Sequence, residues 1–244
     1  MTERGSAPKD SVLGVDPNSP LAQRRRAVRR AAAARSRGGP GRLQITTVVL
    51  DLGGVVVPTL FEVVRDRDLP GGPFGNDERY ADVERGRLQE REYWAELSRT
   101  RPDLDIGDFM RTRLFIRGEI REMLRELGGR VQIAALTNDM AHWFGPDWTQ
   151  RFPEFANFDR LLEAARSGVL KPDPSVFRWA LGRLGEPPGA CLFVDDLTAN
   201  LNGARAAGMQ TELFDVTDPA ESITRIVARL GLQATASPPR VFRQ

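Results

Sequence analysis

The chain has 244 residues, with 35 Lys and Arg against 33 Asp and Glu, and a single His (His142) and a single Cys (Cys191). At 41% hydrophobic and 28% charged it is long enough to bury a full core as one domain plus a small accessory one, and it reads as soluble and globular. One Cys excludes an intramolecular disulfide, one His with one Cys excludes a closed zinc site, and a Ser-His-Asp mechanism would have to run through His142, so the chemistry is sought among carboxylates.

Residues 1–42 carry nine Arg and Lys9 against Glu3, Asp10 and Asp16, a charge of +7, which leaves −5 for the remainder. The segment is built from Arg, Ala, Gly, Pro and Ser, with few large apolar residues to offset the entropy of ordering, and is expected to be a disordered tail with at most a transient helix over 21–34. Its arginines read as a solvated extension rather than a nucleic-acid contact. The stretch Ala31–Ala34 is too short for the apolar core of a secretion signal, and no apolar run reaches spanning length. The expectation is a cytoplasmic protein with no membrane partner.

Beyond the tail, short β-branched runs alternate with amphipathic stretches. Strands are predicted over 45–50, 131–136, 190–194 and 210–213, with an edge strand over 160–164. Helices are predicted over 117–127, 174–184, 199–207 and 219–230, with Thr198 capping the third, and Asp218 capping the last ahead of Pro219. The expected fold class is α/β, a doubly wound, mostly parallel, Rossmann-like sheet built from 43–57 and 118–231, followed by a flexible tail over 232–244. Residues 58–117 break the alternation. Helical spacing recurs at 61–68, 80–85, 90–99 and 106–113, punctuated by Pro70-Gly71-Gly72-Pro73, Gly86 and Pro102. An insertion of about sixty residues exceeds any ordinary loop, so a small helical cap over the carboxyl edge of the sheet is expected directly after the first strand.

Four segments follow or abut predicted strands. They are Asp51-Leu52-Gly53-Gly54-Val55, then Thr137-Asn138-Asp139, then Lys171-Pro172-Asp173, and finally Asp195-Asp196. Ligands of open α/β sheets sit outside the strand carboxyl ends, so three carboxylates, a lysine and a hydroxyl are expected to share one crevice. Like charges at short range repel or force protonation, and a hard dication resolves the conflict. Mg²⁺ takes one or two carboxylates and leaves positions for phosphate oxygens. Lys171 is the single Lys from residue 43 onward, and a compact ammonium there suits a phosphoryl group.

These segments, in this order and spacing over about 45–230, resemble the haloacid dehalogenase-like hydrolases, in particular phosphatases with a helical cap after the first strand. The Asp-Leu-Gly-Gly-Val opening is similar to a subgroup that includes sugar-phosphate phosphatases and relatives of the epoxide hydrolase amino-terminal domain, and Glu84–Trp94 resembles a cap stretch of that subgroup. The resemblance implies Asp51 as nucleophile and Mg²⁺ ligand, with the backbone carbonyl of Gly53 also on the metal. It implies Thr137 and Asn138 holding the phosphoryl group, Lys171 neutralising it and orienting Asp51, and Asp195 and Asp196 anchoring the metal directly or through water. A Mg²⁺-dependent phosphatase acting on a small phosphorylated metabolite, such as a sugar phosphate, through an aspartyl-phosphate is the function it implies. A 2-haloacid dehalogenase, or a non-catalytic binding protein on the same scaffold, is the alternative.

One position departs from the family pattern. Most family phosphatases carry a second Asp two residues after the nucleophile, as the acid and base for the alcohol; here that residue is Gly53. The expectation is a substrate with a good leaving group, such as an anomeric sugar phosphate or an acyl phosphate, or a substitute acid from the cap, or else a slow or non-catalytic protein. His142 is the obvious stand-in, but it reads as a polar loop residue. Cys191 reads as a small core hydrophobe, and Asp139 and Asn200 as either helix caps or hydrogen-bond partners of the site. Trp94, Trp143, Trp148 and the aromatics over 152–158 are assigned to packing between cap and core.

Overall fold

The computed structural model describes residues 44–64 and 69–231; the tails expected at 1–42 and 232–244, and the end of the helix expected at 61–68, lie outside the described residues. Five strands are present: β1 (Thr47–Leu50), β2 (Gln132–Thr137), β3 (Arg160–Glu163), β4 (Cys191–Asp195) and β5 (Gln210–Leu213). All four pairings are parallel, in the order β3-β2-β1-β4-β5. The described residues also form nine α-helices: α1 (Leu60–Val63), α2 (Glu78–Glu84), α3 (Glu90–Thr100), α4 (Ile106–Arg113), α5 (Gly118–Leu127), α6 (Met140–Phe144), α7 (Pro174–Leu184), α8 (Thr198–Ala206) and α9 (Pro219–Arg229).

The period-2 geometry of the strands divides the core in two. Val48, Leu50, Ile133, Ala135, Leu192 and Val194 pack on one side with Ile120, Met123 and Leu124 of α5 and Ile226 and Val227 of α9. Val49, Ala134, Leu136, Cys191 and Phe193 face the other side, against Val176 and Phe177 of α7 and Leu201 and Ala204 of α8. Both faces of the central strands are therefore apolar, which is why these strands read as continuous hydrophobic runs. A third cluster lies within the insertion, where Leu60, Tyr80, Val83, Tyr93, Trp94, Ile106 and Met110 pack α1–α4 together, with the Phe61 ring 4.8 Å from that of Trp94.

Two expectations need correcting. Thr198 does not cap α8. It is the first helical residue, Leu197 holds the cap position, and the Leu197 N–H is taken by Asp195 Oδ1 at 2.9 Å. The aromatics after Thr137 are not a seam between cap and core as a group: Trp148, Phe155 and Phe158 belong to the sheet-side cluster, over two 3₁₀ turns at Trp148–Gln150 and Pro153–Asn157. Asp218 does cap α9, accepting from Glu221 N at 3.1 Å, with Pro219 in the first turn. Arg117, just before α5, fixes the start of the insertion to the core. It is 5% exposed, donates to the Gly54 and Val55 carbonyls at 2.8 and 3.1 Å, and pairs with Glu62 at 2.6 Å.

Candidate active site

The strand order reverses at β1, with β2 on one side and β4 on the other, and the crevice at this switch point is where carboxyl-end residues meet. Leu50 lies opposite Val194 in the register, and Asp51 N donates to Val194 O at 2.9 Å. Asp51 thus leaves β1 beside Asp195, the last residue of β4, with Asp196 next. One oxygen from each of Asp51, Asp195 and Asp196 lies within 4.8 Å of the others. The chain turns away from Asp51 through Gly54, whose φ of +74° suits glycine; a methyl there would overlap the Asp196 carboxylate.

Lys171, on the loop before α7, reaches this cluster from beneath. It is 2% exposed, and its Nζ lies 2.8 Å from both Asp51 Oδ1 and Asp195 Oδ2. Asp51 Oδ1 also accepts from Leu52 N at 2.7 Å, so Oδ2 is the Asp51 oxygen outside these bonds. Asp195 is held on every side: Oδ1 accepts from Leu197 N, Oδ2 from Lys171, and both from Asn200 Nδ2 at 3.0 and 3.1 Å. Asn200 is therefore a partner of the site and not a cap.

One ammonium against three carboxylates leaves excess negative charge in a dry place. Burial pushes Asp51 up to about 8, with Lys171 opposing and Asp195 adding to the shift. Burial, and then the charges of Asp195 and Asp51, hold Asp196 well above the usual carboxylate range. Burial works against the Lys171 ammonium, but Asp195 and Asp51 outweigh it and keep it above an ordinary lysine. The cluster is short of positive charge.

The far wall is the end of β2. Thr137 is 5% exposed and lines the cavity with Asn138 and Asp139. The Asn138 side chain is committed to the lysine loop, its Oδ1 accepting from Lys171 N at 2.9 Å. The side chain so occupied braces the Lys171 loop, and Asn138 also lines the cavity beside Thr137. The roof is the first turn of α3. Gln89 Nε2 donates to Lys171 O at 3.2 Å, Asn138 Nδ2 donates to Gln89 Oε1 at 3.3 Å, and Arg91 pairs with Asp139 Oδ2 at 3.2 Å. Between them Glu90 Oε1 accepts from Trp94 Nε1 at 3.1 Å; burial raises the Glu90 pKa, with the Trp94 bond opposing. These walls enclose a cavity of about 90 Å³, room for several waters or one phosphoryl group.

The structure brings Asp51, Gly53, Thr137, Asn138 and Lys171 to this cavity and sets Asp195 and Asp196 beside Asp51. His142 is exposed on α6, edge-on to Trp143, and does not line the cavity. Cys191 is buried in β4, its thiol pushed up to about 12 by burial, as a core hydrophobe should be. Gln89, Glu90 and Arg91 were not legible as site residues; the spacing of Glu90 and Trp94, one helical turn apart, was the available signal.

A family model for haloacid dehalogenase-like hydrolases matches residues 45–208. The chain belongs to that family. As a haloacid dehalogenase-like hydrolase it is 30% identical over 173 residues to the sesquiterpene phosphatase astK of Aspergillus oryzae, a match covering 66% of this chain and 85% of that protein. It is 34% identical over 82 residues to rat (Rattus norvegicus) bifunctional epoxide hydrolase 2, covering 34% of this chain; the match spans only 14% of that relative's length. Among solved structures, a HAD-superfamily hydrolase of subfamily IA, variant 1, from Geobacter sulfurreducens superposes with a TM-score of 0.50 at 23% identity, over 69% of this chain and 89% of that one, a likeness of fold. No helix among the described residues is long and apolar enough to cross a membrane.

Proposed function

We propose that the chain is a Mg²⁺-dependent phosphatase that hydrolyses a small phosphomonoester through an aspartyl-phosphate on Asp51. The observation that carries this reading is the meeting of Asp51, Asp195 and Asp196 within 4.8 Å around the buried Lys171 ammonium. The donor set fits a hard dication: it is all oxygen, and burial drives two of its members toward the neutral acid. Asp51, Asp196 and the Gly53 carbonyl would hold Mg²⁺, with Asp195 in support. The ion supplies the positive charge that lets an anionic nucleophile and a phosphate approach one another.

The chain's own groups do the rest. Lys171 holds Asp51 by Oδ1, so Oδ2 is the oxygen that attacks phosphorus in line; the bond from phosphorus to the alcohol oxygen breaks, and water then hydrolyses the acyl phosphate. Thr137 steadies the phosphoryl oxygens, and the Gln89 and Arg91 contacts hold α3 over the cavity. Leu88, Leu114, Trp143 and Phe144, all partly exposed, line the cavity, while the polar roof residues Gln89 and Arg91 are bonded to the core. That lining favours an alcohol with an apolar body over a sugar, and the likeness to a sesquiterpene phosphatase supports the same choice.

A panel of alkyl, prenyl and sugar phosphates, assayed with Mg²⁺ and with chelator, tests the reading. Metal-dependent phosphate release that Asp51→Asn abolishes is the expected result. Halide release from 2-haloacids without metal, or silence with every ester, overturns it.

A further inference from the structure

The missing partner of the nucleophile leaves a question that the cap answers. In this subsection the phosphatase reading is assumed. Residue 53 has no side chain, and an ideal Cβ built there meets one heavy atom within 4 Å: Glu90 Oε2, at 4.0 Å. An Asp carboxyl at position 53 would begin one bond beyond that Cβ, so Glu90 Oε2 lies beside the space such a group would enter. We propose that Glu90, delivered by the cap helix α3, is the proton donor and acceptor that Gly53 cannot be.

Three features position it. Glu90 is the first residue of α3, where the Trp94 indole one turn later fixes Oε1 at 3.1 Å and leaves Oε2 toward the gap. Its neighbours on either side are tied to the core, Gln89 to Lys171 O and Arg91 to Asp139, so the carboxyl between them has a fixed height above Asp51. It also lines the same cavity as Asp51 and Thr137. Gly53 and Gly54 differ in the way this account requires: only at 54 does a methyl meet Asp196. Position 53 is open because its chemistry comes from elsewhere.

The steps balance. As Asp51 Oδ2 bonds to phosphorus and the bond to the alcohol oxygen breaks, the Glu90 carboxyl gives its proton to that oxygen and the free alcohol leaves. Glu90, now a carboxylate, takes a proton from the incoming water as its oxygen bonds to phosphorus. The acyl oxygen–phosphorus bond breaks, inorganic phosphate departs, and Asp51 and Glu90 return to their starting states.

The test is Glu90→Gln, which keeps the acceptor for Trp94, compared with wild type over monoesters of graded leaving-group basicity. kcat/KM reports the first step. The expected result is a loss of about 10²–10⁴ for alkyl phosphates and only a few-fold for p-nitrophenyl phosphate, whose leaving group needs no proton. Mg²⁺ affinity by calorimetry is expected to be unchanged. Gly53→Asp added to Glu90→Gln should restore alkyl phosphate turnover. A uniform loss across the series, no loss, weakened Mg²⁺ binding, or a folded double variant that recovers nothing overturns the assignment to Glu90. If the wild type itself releases no phosphate, the phosphatase reading has failed instead.

Discussion

Lys171→Met removes the ammonium and keeps the length of the side chain. In the wild type Nζ sits 2.8 Å from both Asp51 Oδ1 and Asp195 Oδ2 at 2% exposure, so the variant leaves those two carboxylates and Asp196 with no cation in contact. Breaking a buried pair by deleting one partner typically costs about 3–5 kcal/mol, and that is the loss expected by urea denaturation in chelator at pH 8. The pH dependence has a definite sign. Asp51 is raised from 3.8 to about 8 in the folded wild type, so between those values the folded state binds the extra proton. The stability that this proton confers is full below about pH 4 and is lost as pH climbs through about 8. Without the ammonium Asp51 rises further, so the deficit of the variant should be small near pH 4 and widest at pH 8, and Mg²⁺ should narrow it by mass action. Turnover should fall by about 10²–10³, the usual loss on removing one electrostatic stabiliser of the transition state. A variant whose unfolding curve at pH 8 in chelator overlays that of the wild type would refute the claim that Lys171 balances this cluster.

Asp196→Asn should act in opposite directions on fold and metal. Removing a carboxyl that burial, and then the charges of Asp195 and Asp51, hold well above the normal range should raise the melting temperature in chelator, while the Mg²⁺ concentration that half-saturates activity rises; a lowered melting temperature would contradict the crowding of charge at this site. Gly54→Ala should destabilise by about 1–3 kcal/mol and weaken Mg²⁺ binding, since φ is +74° there and the methyl overlaps the Asp196 carboxylate, whereas Gly53→Ala should unfold at nearly the wild-type temperature. Equal melting temperatures for the two alanine variants would show that the turn is not shaped by Asp196.

What could be read from the sequence was whatever sits at a strand end. Asp51, Thr137 and Asp195 each close an apolar run, and the open-sheet rule then brings them to one edge without knowledge of side-chain positions. Lys171 stood out because the chain after residue 43 holds no other lysine. The parallel sheet and α7, which runs over Pro174–Leu184 as expected, follow from the same local signals. The errors lie where tertiary contacts decide. Thr198 looked like a cap by type, yet Asp195 already receives the Leu197 N–H, so the helix begins one residue earlier.

The roof was illegible for a deeper reason. Gln89, Glu90 and Arg91 have polar side chains at the start of an amphipathic helix, where composition expects solvent-facing residues and acids are favoured by the helix dipole alone. Their meaning depends on how α3 sits on the sheet edge, and that angle is set by remote groups: Arg117 binding Glu62 and the Gly54 carbonyl, and the aromatic cluster around Trp94. Gly53 did point to the cap as the source of a substitute acid, but to no particular residue in it. A glycine where the family carries a carboxylate has no local compensation within the Asp51 turn, so any compensation must come from a segment that approaches the turn from outside. The insertion, placed directly after β1 and lining the cavity beside it, has that access. The same helix turn that roofs the cavity carries Glu90, so the wall over the nucleophile and the proposed proton donor come from one element.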